Sequence, residues 1–258
     1  MNKPDEDVTT DRATPPYTVQ ALRATFLDGT ESLRAAFQGM PEATAAEGHS
    51  PAAMLAGVLQ WFDVLQRIEH DREVVDTLDP DAISELGDYG FDLLEELSLL
   101  ALQRGLTEDA QTLLGLGYPV ALWVVEHGGQ LRRLQLMVNA LAECANHLWE
   151  PQRLALLCER MTRLVAAVDT RIFLDPDNAD VRELWSVLLL NYGIVATRSH
   201  QPALIERAYG TLVDHLPGEA RDFFREGMRQ MEALDYPPQV RSIVQRYFVQ
   251  WGGDSTRH

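Results

Sequence analysis

His70 and Asp71 stand side by side in the Arg-Ile-Glu-His-Asp-Arg-Glu run at 67–73, with His49 upstream and several aspartates downstream. Imidazole and carboxylate groups together suit a divalent metal ion. The pair also has a structural reading, because a cationic histidine in the last turn of a helix interacts favourably with the helix dipole. Other metal chemistries lack their spacings: the chain has no Glu-x-x-His, no His-Glu-x-x-His and no paired Cys-x-x-Cys. Asp175, Asp177 and Asn178 offer calcium-type oxygens without the glycine and twelfth-position glutamate of an EF-hand, so they read as a loop and helix cap. Cys144 and Cys158 fall on successive helical segments and read as small buried hydrophobes. Neither a phosphate-cradling glycine loop nor a nucleophile elbow occurs. The expectation is a chain with no catalytic set, no cofactor and no resident metal.

One arrangement does have a family counterpart. His49 with the His70-Asp71 pair resembles helical metal-dependent phosphohydrolases of the HD family, which hold metal through an upstream His, a His-Asp pair and a later Asp. The resemblance implies His49, His70 and Asp71 as metal ligands. The surroundings depart from that pattern: the family carries its pair on an apolar helix, whereas 67–73 is a charged run. A metal-dependent phosphohydrolase is therefore the alternative reading.

Recognition chemistry has a better candidate. Arg132, Gln135, Asn139, Glu143 and Asn146 recur at helical spacing opposite the stripe Leu131, Leu134, Val138, Leu141, Ala145 and Leu148. Such a face could hydrogen-bond the backbone of a partner, or simply be solvated. Arg132, Arg133, Arg153, Arg160 and Arg163 form the one basic cluster. It suits bidentate grip on an acidic partner segment, or pairing with the chain's own surplus carboxylates.

The elements that must position these residues are helical throughout. Apolar residues recur at three- and four-residue steps from Val19 onward, and proline repeatedly follows a capping residue at a helix start, as in Ser50-Pro51 and Asp79-Pro80. Segments from Thr107 to Glu126 and from Val181 to Val195 predict one helix bent at Gly117–Pro119 and one apolar nearly all round, the latter expected to be central. No convincing strand is found. The prediction is an all-α protein of nine to ten helices. Residues 1–16 form an acidic, disordered tail, and 17–252 a single helical domain. That domain divides into N-terminal helices at 17–78, repeat-like helix pairs at 79–235 and a capping helix at 237–251.

Three stretches, at 102–110, 145–154 and 196–204, share a helix end, a short polar break and a new helix start. Between the last two, Trp185-x2-Leu188-Leu189-x2-Tyr192 resembles the first-helix pattern of tetratricopeptide repeats. Leucine stands where that family has glycine, and the following helix starts late for the standard repeat. The resemblance covers roughly residues 80–235 and implies a tetratricopeptide-like α-solenoid with a peptide or protein in a concave groove. Pattern alone equally fits an irregular helical bundle.

Composition narrows the partners. A net charge of −17 repels nucleic acid and anionic membranes. Two cysteines make no disulfide framework, which suits a reducing cytoplasm. The apolar runs at 116–125 and 185–195 fall short of the ~20 residues a bilayer crossing needs. The sequence therefore points to a non-catalytic, cytoplasmic adaptor, assembly factor or chaperone that binds a protein or peptide. Tyr247, Phe248 and Trp251 could support a homodimer but are needed first to cover the end of the stack. A small apolar ligand beside the 185–195 helix is a third reading.

Overall fold

The computed structural model describes residues 18–37, 50–71, 79–174 and 179–252. Within them the chain is all-α. The helices are α1 (Val19–Gly29), α2 (Glu31–Phe37), α3 (Pro51–His70), α4 (Pro80–Gln103), α5 (Thr107–Gly115) and α6 (Gly117–Glu126). They continue as α7 (Gln135–His147), α8 (Pro151–Ala166), α9 (Ala179–Arg198), α10 (Pro202–His215), α11 (Pro217–Ala233) and α12 (Pro238–Tyr247). A 3-10 turn occupies Thr170–Phe173, and a π turn, Phe248–Gly252, follows α12. No strand occurs among the described residues; one isolated bridge pairs Leu131 with Val168. The expectations for residues 1–16, His49 and 175–178 fall outside the described residues.

Local chemistry sets the ends of these helices. Ser50 Oγ accepts from Ala53 N–H at 3.2 Å, and Asp79 accepts from Asp81 N–H at 3.0 Å, each with proline next in line. Gly105 and Gly128 take φ of +73° and +83°, the left-handed residue that ends a helix. Leu106 N–H then reaches back to Ala101 O at 2.9 Å, and Gly129 N–H to Val124 O at 2.9 Å. Two helix starts are capped from far away in sequence. Glu69 accepts from Val19 N–H at 3.2 Å, and the buried Asp109 accepts from Leu33 N–H at 2.7 Å.

Greasy stripes then decide the packing, since each must be covered by a neighbour. From α4 onward the helices pile up in chain order in two layers. One layer runs α4, α6, α8, α10, α12, each packed on the next; the other runs α5, α7, α9. Between layers, α4 meets α5, α6 meets α7, and α9 meets both α8 and α10. At the N-terminal end α1 crosses α3 and α5, and α2 rests on the same two helices. The buried apolar residues form one continuous core from Val19 to Val244.

The structure exceeds the expected helix count because two continuous patterns are broken. Val19 to Phe37 divides at Thr30, whose Oγ1 donates to Phe26 O at 2.6 Å, while Gly29 lies so close to Thr112 that a Cβ would fall within 2.3 Å of it. The 107–126 segment divides at Leu116, where Gly117 presses on the backbone of Leu136. The central place expected for the 181–195 helix belongs to α6, buried from Gly117 through Val124. Helix α9 is buried only from Leu188 on, because its first half borders an open cleft.

Candidate binding cleft

The residues singled out from sequence separate into groups. Gln135, Asn139, Glu143 and Asn146 share one exposed face of α7. Arg132 does not belong to that helix, which begins at Gln135; it sits in the preceding extended segment. There Leu131 N–H donates to Ala167 O at 2.9 Å, and Asp169 N–H to Leu131 O at 3.0 Å. This bridge holds Arg132 over three carboxylates: Asp169 at 3.2 Å, Asp88 at 3.7 Å, and Asp81 in direct contact. Arg171 joins the knot through Asp169 and Asp81.

Electrostatics follow the geometry. The Arg171 side-chain hydrogen bond, foremost, holds the Asp169 carboxyl below the usual carboxylate range against the opposing effect of burial, helped by the Arg171 backbone N–H and charge and, least, by the Arg132 hydrogen bond. Burial pushes Asp88 up despite the nearby Arg132. Of the remaining basic cluster, Arg133 pairs with Asp92 at 3.1 Å and Arg163 with Glu126 at 3.2 Å. Arg160 donates to Tyr118 at 3.4 Å. The cluster is thus tied to the chain's own groups.

The His-Asp pair closes α3. His70 Nδ1 lies 2.7 Å from Gln66 O, and Asp71 N–H donates to Arg67 O at 3.1 Å, an ordinary helix end. Among the described residues no group of three or more His, Cys, Asp or Glu side chains is placed to hold a metal ion.

A concave feature lies elsewhere among the described residues. A cleft of about 710 Å³, within the size range of small-ligand sites, lies between the C-terminal halves of α8 and α10, where the first half of α9 and the 3-10 turn border it. Trp185, half-buried, stands 5.5 Å from Phe173 and 5.5 Å from the edge-on ring of His215. Val165 and Val168 extend this apolar wall. Arg182, Arg207 and Glu219 bring charge to the rim.

The cleft has a fixed polar floor. Thr162 Oγ1 donates to Cys158 O at 3.0 Å, which leaves the Tyr192 hydroxyl to donate to Thr162 Oγ1 at 2.7 Å. The same device recurs one helix later: Thr197 donates to Gly193 O at 2.7 Å and accepts from Tyr209 at 2.7 Å. Burial raises both phenols and pushes the Cys158 thiol up to about 12, with Glu159 adding to the latter. Cys158 is therefore a protonated, buried thiol at neutral pH, and Cys144 is also free.

Sequence reasoning singled out Trp185, Leu188, Leu189 and Tyr192 as a repeat pattern. It passed over Phe173, Arg207, Thr211 and His215. The signal was there in part: Arg207, Thr211 and His215 recur at four-residue steps on the α10 face away from its stripe Ile205, Ala208 and Leu212. Against known proteins, the chain matches no family model, no curated protein and no solved structure.

Proposed function

We propose that this protein is a non-catalytic scaffold that binds a peptide segment of a partner protein in the cleft between α8, α9 and α10. The observation that supports this reading is an aromatic wall, Phe173–Trp185–His215, left half-open along the cleft. A half-exposed tryptophan with aromatic neighbours at a concave site is what anchors a partner side chain, since it contributes large contact area at little entropic cost. The role expected from the sequence, an adaptor, assembly factor or chaperone for a protein or peptide, accords with such a site. The cleft differs in place from the α7 face of Gln135, Asn139, Glu143 and Asn146.

Panning a random displayed-peptide library on the full chain tests the proposal. The expected result is enrichment that disappears with Ser186→Phe, which fills the cleft, while circular dichroism stays unchanged. Enrichment indifferent to Ser186→Phe would move the site away from the cleft and overturn the reading.

A further inference from the structure

Resting on the peptide-binding reading, we infer that the cleft selects a segment in which an acidic side chain adjoins a large apolar one. The acidic group meets Arg207 and the apolar group meets Trp185. Arginine is nearly the sole cation of this chain, and the described arginines are otherwise engaged. Arg132, Arg133, Arg163 and Arg246 face carboxylates, Arg198 caps the carbonyls of Ala145 and Leu148, and Arg104 lies over the Phe37 ring. Among the described residues Arg207 is the exception: its guanidinium meets no carboxylate, carbonyl or aromatic ring, and it is exposed beside the cleft. In a protein with 39 acidic and 22 basic residues, a guanidinium that meets no carboxylate among the described residues is poised for an external one.

Its position within the cleft strengthens the case. The Arg207 charge reaches the Tyr192 phenol and the Cys158 thiol, favouring the ionised form of each. It therefore acts on the cleft floor rather than out over the surface. Arg207, Thr211 and His215 follow one another at four-residue steps along α10 and all line the cleft, so an anion at Arg207 shares the cleft with the aromatic wall. The other charged groups at the cleft are Arg182, which has partners of its own, His215 and Glu219. Glu219 opposes an anion, and the other two do not.

The net charge of −17 repels an acidic peptide as a whole. At physiological ionic strength, however, charges more than about 8 Å away are largely screened. Contact with Arg207 is closer than that, so local attraction governs selection while distant carboxylates mainly slow the approach. Charge-assisted pairing by arginine is directional, often bidentate. A carboxylate is therefore distinguished from an amide of the same shape.

Fluorescein-labelled hexapeptide pools, acetylated and amidated, test this with the full chain by anisotropy. One pool has Phe-Glu fixed at the centre, the other Phe-Gln. The expected result is binding of the Phe-Glu pool about tenfold tighter than the Phe-Gln pool, with the ratio falling to about one in Arg207→Gln. Both pools should weaken with Trp185→Ala, and Arg207→Gln should leave the far-ultraviolet spectrum unchanged. Equal, Ser186→Phe-sensitive binding of the two pools overturns the acidic preference and leaves peptide binding standing. Binding of neither pool, together with no cleft-dependent enrichment from a displayed library, overturns both.

Discussion

Tyr192 and Tyr209 show how single hydroxyls hold adjacent helices at fixed register. Each donates to a threonine whose own proton is committed to the carbonyl one turn back. Tyr209→Phe removes the donor and leaves a buried threonine oxygen without it. The expected loss is about 1 kcal/mol in urea-unfolding free energy, with no change in helix content. The Arg132 knot makes a pH-dependent prediction. Asp169 has its pKa lowered on folding, so its contribution is present above the ordinary carboxylate value of 3.8 and is lost as pH falls through the lowered one. Asp169→Asn is expected to cost roughly 1–3 kcal/mol at neutral pH, and the gap to the parent chain is expected to narrow progressively below about pH 4. Asp88, raised by burial, works in the opposite sense over the acid range, favouring the fold as it protonates. Chemical unfolding of the Asp169→Asn and parent chains at stepped pH reads this out.

At the scale of elements, close helix approach rests on particular small residues. A Cβ on Gly90 would lie 2.2 Å from the Trp61 ring, the indole that also donates to Leu86 O at 2.8 Å. Gly90→Ala is therefore expected to destabilise by about 1–3 kcal/mol through forced separation of α3 and α4. Gly210 on α10 has open space around its Cβ position, so Gly210→Ala is expected to stabilise by up to about 1 kcal/mol. Thermal melts of the two variants should shift in opposite directions. The same local rules explain what could be read in advance. Ser50-Pro51, Asp79-Pro80 and the α7 stripe announced their helices because caps and periodicity act within one turn. The break at Thr30 did not show, and at Leu116 Gly117–Pro119 announced only a bend where the structure has a break, since both answer to contacts with Thr112 and Leu136, far away in sequence. Arg132 was assigned to the face of a helix that starts three residues later, because a lone bridge to the segment after α8 has no periodic signature.

For the whole molecule, order along the chain becomes order in space. Helices from α4 onward pack mainly on those next or next but one, so stability is built from neighbour-to-neighbour interfaces. The C-terminal end is closed by aromatic packing, with Tyr247 5.1 Å from Tyr209 and 5.2 Å from Phe224. Tyr247, Phe248 and Trp251 are half-buried in this role. The cleft was legible only as a small-ligand reading beside the 185–195 helix, with Trp185 placed in a repeat pattern and on a helix expected to be central, and Arg207 was passed over. The space between α8 and α10 exists only once the stack is assembled.

Hydrogen–deuterium exchange on the full chain, with and without a peptide enriched by panning, measures where that peptide sits. The account predicts slowed exchange in the C-terminal half of α8, the first half of α9 and the second half of α10. Protection confined instead to α7, around Asn139 and Glu143, would contradict it.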